Sequence, residues 1–486
     1  MRSITTPSKL SPTIGFLSAT CIVIGTIIGS GVFMKPASMA AQLGSPLWLT
    51  AVWIIAGVFS LLGALIFAEL GAMIPESGGM YVYFRYMFGK FVAFLYGWAC
   101  LAVINTAAVA AIAFICASYS DYFLHLPRLP ATTEQSLIWH IPFLGNLYPL
   151  QNIGVKLLTM MLVIGLTFLN YLSVRAGSAF QVISTIVKIL VIAALVFGIT
   201  FSGNGSLQNF THAEQPIHGW NLLSGIVISL TGAFFAYDGW INVTFVASEI
   251  KQPEKNIPKS LFLGVLVCII VYVCVNQAYL YTLPVEQMAA SKLVAADAMS
   301  VARGNAGGAI IAAFIVVCTL GAVNGNIMTV VRVTYAMGKD KVIFPWTGKE
   351  HKRFRTPGNA LWLHAIWTIF FIISGSFDML ADMFVFMTWV AYLMGAIGIF
   401  VLRKKLPHQP RPYRVWGFPW VPIVFIFFSA FYLITSVWND VYNYASGKAP
   451  FINSLFGIAL TALGIPFYLY YKNKYKNKYK GYTSER

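Results

Sequence analysis

Charge is what this sequence has least of. Of 486 residues only 10% are charged, 33 basic and 16 acidic, against 58% apolar, whereas a soluble domain carries about 25% charged and about 45–50% apolar residues. So few charges cannot cover a soluble particle of this size, which excludes an ordinary soluble enzyme and equally a disordered or fibrous chain. Cysteine is scarce too. All six (Cys21, Cys100, Cys116, Cys268, Cys274 and Cys318) fall inside apolar runs, so they read as small buried hydrophobes and no disulfide framework is expected. No nucleophile–base arrangement and no metal-ligand spacing stands out. Gly29 to Gly31 is not a phosphate loop, because it lacks the lysine and the preceding strand such a loop requires. No metal, cofactor or enzymatic activity is expected. The first apolar run outlasts the hydrophobic core of a leader, so no cleavable leader is expected either.

What is present is apolar length. At about 20–25 residues per membrane span there is room for roughly twelve spans. The runs fall at 13–40, 46–72, 90–120, 151–173, 178–201, 219–247, 260–283, 306–337, 360–376, 380–402, 418–438 and 451–471. They predict a single all-α membrane domain over residues 1–486, with Ser45-Pro46 opening the second span and Pro75 to Gly79 closing the turn after it. A net charge of +17 would suggest nucleic acid in a soluble protein, but its distribution points elsewhere. Of 33 basic residues, 26 fall in the termini and the even-numbered loops, five in the odd-numbered loops, and Lys35 and Lys188 within spans. That asymmetry puts both termini in the cytoplasm of a cell-membrane protein. Membrane lipid, not nucleic acid, is the partner of the basic loops.

Two spans carry interruptions where a helix tolerates them least. The first holds Ile28-Gly29-Ser30-Gly31 at its middle, and the sixth holds Ala236-Tyr237-Asp238-Gly239-Trp240. Glycine costs a helix about 1 kcal/mol relative to alanine, and a mid-membrane carboxylate is dearer still. Breaks five spans apart suit two inverted five-span repeats, about 13–201 and 219–402, each opening with a discontinuous helix, plus two extra helices over about 418–471. Freed backbone groups must line a cavity or a ligand site. A half-helix starting near Gly31 offers free N–H groups to a carboxylate, with the Ser30 hydroxyl beside them. A half-helix ending near Phe235 and Ala236 offers carbonyls to an ammonium. Together they suit an amino-acid zwitterion, with Phe235, Tyr237 and Trp240 as aromatic candidates for a gate or wall.

Other polar residues leave alternatives open. Asp238 reads as an acceptor for a cationic substrate group, as a protonatable coupling group, or as the cap of the second half-helix. Lys188, near mid-membrane, reads as a cation standing where sodium would otherwise bind and holding the first span to the fifth, as a proton carrier, or as a structural lysine on carbonyls. Asn324 in the eighth span is expected to hydrogen-bond across helices beside the first, and Glu69 to belong to a gate or loop lock. Lys35, just after the first break, has no strong account from sequence beyond a place in the outer vestibule.

The segments Gly25–Phe33 (GTIIGSGVF), Pro75–Tyr83 (PESGGMYVY) and Phe235–Asn256 resemble the amino acid–polyamine–organocation superfamily, and within it the light-chain-like L-type amino-acid transporters. The resemblance runs from about 12 to 438, through Val323-Asn324-Gly325 and Arg411-Pro412-Tyr413. It implies the five-plus-five fold, with twelve transmembrane helices and discontinuous helices 1 and 6. It implies that Ile27, Gly29, Ser30 and Gly31 with Phe235, Ala236 and Asp238 hold the substrate, that Phe235 gates the outer side, and that Lys188 replaces a sodium ion. Asp at position 238 resembles members that accept dibasic as well as neutral amino acids. Mammalian members use a cysteine between the third and fourth spans to bind a heavy chain; loop 121–150 has none, so no disulfide-linked heavy chain is expected. The expected function is sodium-independent exchange of neutral, and on the Asp238 reading cationic, L-amino acids by alternating access. The rivals are a proton-coupled symporter and a non-transporting amino-acid sensor.

Overall fold

The computed structural model describes residues 14–76, 78–211, 219–354 and 356–474, with the backbone alone over 174–186. The first span is two helices, α1 (Phe16–Ile27) and α2 (Gly31–Leu43), bent by 43° at the break. α3 (Pro46–Met73) forms the second span, and a short helix absent from the sequence reading, α4 (Met80–Phe88), follows it. The third span runs from α5 (Lys90–Ala99) through a π-helical turn (Cys100–Ile104) into α6 (Asn105–Leu124). The outer loop beyond it holds α7 (Ala131–Glu134) and a hairpin of β1 (Trp139–Ile141) and β2 (Gly145–Leu147). α8 (Ile153–Leu172) and α9 (Val174–Thr200) are the fourth and fifth spans.

The sixth span stops and restarts: α10 (Gly219–Tyr237) ends beside Asp238, and a 3-10 helix (Trp240–Glu249) continues it. The seventh is α11 (Pro253–Thr282), followed by the short α12 (Val285–Ala290). α13 (Val294–Lys339) begins well before the expected eighth span, and Gly304 at φ 78° turns its chain close to where that span was expected to start. Then come α14 (Gly358–Ser374), α15 (Phe377–Lys405), α16 (Trp420–Ala445) and a last pair, α17 (Asn453–Ala462) and α18 (Gly464–Lys474). Among the described residues nine helical segments are long and apolar enough to cross a membrane, and the bent α1–α2 pair makes a tenth. Two shorter apolar helices, Val187–Thr200 within α9 and Gly358–Ser374, stand where the remaining spans were expected.

The interrupted spans sit at the centre. α2 packs on α10, α1 on α11, and α3 against both α10 and α11. α9 and α6 both pack on α13, and α8 joins α6 to α14. The β-hairpin is tied to the loop before α17, because Asn146 N–H donates to the Pro450 carbonyl and Ile452 N–H to that of Leu144, at 2.8 and 2.9 Å.

At the basic end, Glu69 of α3 is only 1% exposed. Its carboxylate takes both prongs of the Arg403 guanidinium, at 2.7 and 3.0 Å, and the Val415 N–H at 2.7 Å. The second span is thereby fixed to the end of α15 and the loop beyond it, while Arg403 stacks 3.5 Å over the Phe418 ring. Removing one member of a buried pair strands the other, at about 3–5 kcal/mol. Glu69→Ala is therefore expected to lower the thermal unfolding midpoint of the detergent-purified protein by several degrees, and Glu69→Gln, which keeps an acceptor, by less. Equal midpoints for all three proteins would show that the lock adds no stability.

Candidate functional site

Two glycines let the interrupted spans touch. A Cβ on Gly31 would lie 2.7 Å from the Ala236 Cα, so the start of α2 meets the end of α10 backbone to backbone. Gly239 has φ +111°, a conformation glycine adopts at little cost, and a Cβ there would lie 2.5 Å from the Thr26 carbonyl oxygen. The Thr26 hydroxyl donates to the Gly239 carbonyl at 3.0 Å. The end of α1 therefore lies against the start of the 3-10 segment, and both breaks share one locus.

The carbonyls expected to receive an ammonium are gathered there. Tyr272 of α11 points its hydroxyl at the Ile27 carbonyl (2.8 Å) and the Ala236 carbonyl (2.9 Å). One hydroxyl proton cannot satisfy two acceptors fully, so the pair retains capacity for a stronger donor. The Ser30 hydroxyl is buried with no hydrogen-bond partner among the described residues, and the first amides of an α-helix have no partner within it. Tyr272 escaped the sequence reading, because a tyrosine in an uninterrupted apolar run gives no signal of a distant partner.

Beside this locus lies a cavity. Its lining from the sixth span is Asp238, Ile241, Asn242 and Phe245, and no residue of α10 contributes. α15 gives it Phe384, Thr388 and Tyr392, a stripe at i, i+4 and i+8 on one helix face. Asn105 enters from the third span, directly after the π-helical turn, and Asn326 from the eighth. Ser30, Gly31 and Ala236 border the shared locus but do not line the cavity.

The opposite side is sealed. Phe235 meets the rings of Phe377 and Phe384 edge-on, at 5.7 and 6.0 Å. Over it Lys35, 3% exposed, reaches Asp378 at 2.7 Å and Asp382 at 3.7 Å, with Phe377 4.7 Å beneath the ammonium. The lysine without an account from sequence thus ties α2 to α15 above Phe235.

The other expected residues divide. Lys188 is buried and directs its ammonium to the Gly25 carbonyl at 3.4 Å, joining the fifth span to α1. Asn324, expected to hydrogen-bond across helices, accepts from the Asn170 amide of the fourth span at 2.7 Å. Tyr237 is packed between Trp53 and Tyr272 and does not line the cavity. Trp240 stacks 4.7 Å from Tyr392 and 5.5 Å from Phe67, behind the cavity wall. Asp238 does not cap the second half-helix: Gly239 holds the cap position and no side chain bonds there. Its carboxylate instead accepts from the Tyr392 hydroxyl at 2.6 Å.

Comparison with known proteins matches these features to a family. The family model described as amino acid permease covers residues 14–462. The chain belongs to the amino acid permease family. This permease is 30% identical to the serine/threonine exchanger SteT of Bacillus subtilis over 96% of its own length and 98% of that protein's. It is 29% identical to the b(0,+)-type amino acid transporter 1 of Mus musculus, over 96% and 89% of the two chains. The cystine/glutamate transporter of Homo sapiens is 29% identical, over 95% and 85%. The permease is thus a multi-pass membrane transporter of the amino acid–polyamine–organocation superfamily with L-type relatives, and not an enzyme.

The contact between the breaks yields a paired test. A methyl at Gly31 collides with the Ala236 backbone, whereas a methyl at Gly29 finds nothing closer than 3.6 Å. Overpacking of this kind costs about 1–3 kcal/mol. Gly31→Ala is expected to cut amino-acid uptake into proteoliposomes about tenfold or more, and Gly29→Ala less than threefold. Equal losses would mean that close approach is not what the second glycine provides.

Proposed function

We propose that this permease is a sodium-independent exchanger of neutral and cationic L-amino acids, working by alternating access from the cell membrane with both termini in the cytoplasm. One observation carries the reading: the two interrupted spans meet at a locus with a cavity on one side and an aromatic and ionic seal on the other. With the termini inside, the cavity faces the cytoplasm and Phe235 with Lys35 closes the outside.

In this reading the amides near Ser30 and Gly31, flanked by Gly29, receive the substrate carboxylate. The carbonyls of Ile27 and Ala236 receive its amino group, displacing the Tyr272 hydroxyl. Asp238 faces the side chain, and Phe235 must swing away for outward opening. Tyr237 and Trp240 back the moving segment, Asn324 braces the eighth span and Glu69 the inner end. Lys188 supplies at the Gly25 carbonyl a positive charge that a sodium ion would otherwise bring, so no added cation is needed. The first and second five-span units, about 13–201 and 219–402, act as inverted repeats. A relative named as a serine/threonine exchanger and one named a b(0,+)-type transporter support exchange and leave the substrate side chain open. Loop 121–150 contains no cysteine, which supports a transporter that works without a disulfide-linked heavy chain. Polyamines fit poorly, since they lack the carboxylate that the first break receives.

The test uses purified protein in sealed proteoliposomes without sodium, loaded with an amino-acid mixture or left empty. Labelled alanine and labelled arginine are offered outside, with and without an inward proton gradient. Exchange predicts uptake at least tenfold higher into loaded vesicles, indifferent to the gradient. Concentrative uptake into empty vesicles driven by the gradient would establish a proton-coupled symporter instead. Binding without uptake would establish a sensor.

A further inference from the structure

The carboxylate in the cavity is held in an unusual way. Asp238 is half-buried and lines the cavity, and among the described residues its one hydrogen-bond donor is the Tyr392 hydroxyl, at 2.6 Å. None of the residues lining the cavity is a lysine or an arginine. The remaining polar lining is neutral: Tyr96, Asn105, Asn242, Asn326, Thr329 and Thr388. The Thr388 hydroxyl, one turn before Tyr392 on the same helix face, is buried with no hydrogen-bond partner among the described residues. A half-buried carboxylate gains most from a cation or from several donors, and among the described residues the neutral Tyr392 phenol is the one at hydrogen-bond distance.

That phenol is fixed from behind. Tyr392 is 3% exposed, its ring lies against Trp240 and Phe67, and one turn on, Gly395 brings α15 so close to Phe67 that a Cβ would fall 2.2 Å from the ring. These contacts hold the ring with its hydroxyl at Asp238. The site then has two ways of meeting the Asp238 charge. With a neutral substrate no cation reaches it, and among the described residues the Tyr392 hydroxyl is its hydrogen-bond donor. With a cationic side chain, the substrate supplies the counter-charge and the hydroxyl becomes dispensable.

We propose that Tyr392 is a specificity-setting residue: its hydroxyl lets one cavity accept neutral amino acids despite the carboxylate of Asp238, while cationic amino acids bind through Asp238 itself. The proposal rests on the exchange function argued above. It makes Tyr392 a positioning residue whose deletion harms one substrate class selectively. A tyrosine needed only for packing would harm both classes alike.

The experiment measures KM for alanine and for arginine in proteoliposome exchange, for wild type, Tyr392→Phe, Asp238→Asn and the double variant. Tyr392→Phe removes one oxygen and keeps the ring contacts, and a KM ratio within one preparation is insensitive to the amount of active protein. Expected is a rise of about tenfold in the alanine KM of Tyr392→Phe, with arginine changed less than threefold. Asp238→Asn is expected to reverse the preference, raising the arginine KM about tenfold or more. In the Asp238→Asn background, Tyr392→Phe is expected to leave the ratio within twofold, because the charge it served is gone. Equal effects on the two substrates, or a ratio shift that persists without the Asp238 carboxylate, would overturn the role of Tyr392 while leaving exchange intact. A wild-type protein that exchanges alanine but not arginine would overturn the Tyr392 role together with the cationic half of the proposed function. A wild-type protein that exchanges neither would overturn the exchange function from which both follow.

Discussion

Everything in the centre of this protein depends on two helix breaks being pressed together. A helix that stops inside a membrane leaves N–H and carbonyl groups that hydrocarbon cannot satisfy. Here the two sets of orphans are brought within reach of each other, of Thr26 and of Tyr272. Gly31 and Gly239 make the approach possible, since a single methyl at either would collide with backbone. The unwound segments then carry a positive helix end and a cluster of carbonyls side by side, and the surrounding spans hold that arrangement between a closed aromatic layer and an open cavity. Alternating access requires only that the layer and the cavity trade places around this fixed pair.

Several charges in the interior are held by partners on other segments. Lys35 faces two carboxylates. Lys156, which by sequence counts among the loop charges, is buried in α8 under the carbonyls of Tyr148, Pro149 and Ile373. Lys188 faces the Gly25 carbonyl, and Glu69 is gripped by Arg403 and a backbone amide. Each of these groups joins two spans, or a span and a loop, so desolvation is offset by interactions that also fix the fold. Asp238 stands apart, because what it meets is a phenol and a cavity. Its place in the cavity wall is what the proposed role in reading the substrate side chain rests on.

Sequence reveals an interruption more readily than a contact. Gly29, Gly31 and Asp238 stand out because each is costly in an apolar helix, so the breaks and their pairing at spans one and six are legible from local energetics alone. The partners are not. Tyr272 and Tyr392 look like any tyrosine in a membrane span, and their significance comes from spans far away in the chain. Asp378 precedes the expected start of the tenth span and resembles a loop charge; only the helix from Phe377 makes it a partner of Lys35. α4 was missed because nine residues rich in tyrosine and phenylalanine carry too little periodicity to separate helix from loop. The bond from Asn170 to Asn324 illustrates the same limit: a buried asparagine announces a cross-helix bond without naming the helix.

The π-helical turn at Cys100–Ile104 has a consequence for everything after it in the third span. Such a turn is an α-helix holding one surplus residue, and successive residues of an α-helix are about 100° apart around its axis. Tyr96 before the turn and Asn105 and Ala108 after it all line the cavity, and the surplus residue turns the later two toward the face that Tyr96 presents. The turn works as a phase shifter. It lets both halves of the third span face one cavity, with no loop between them.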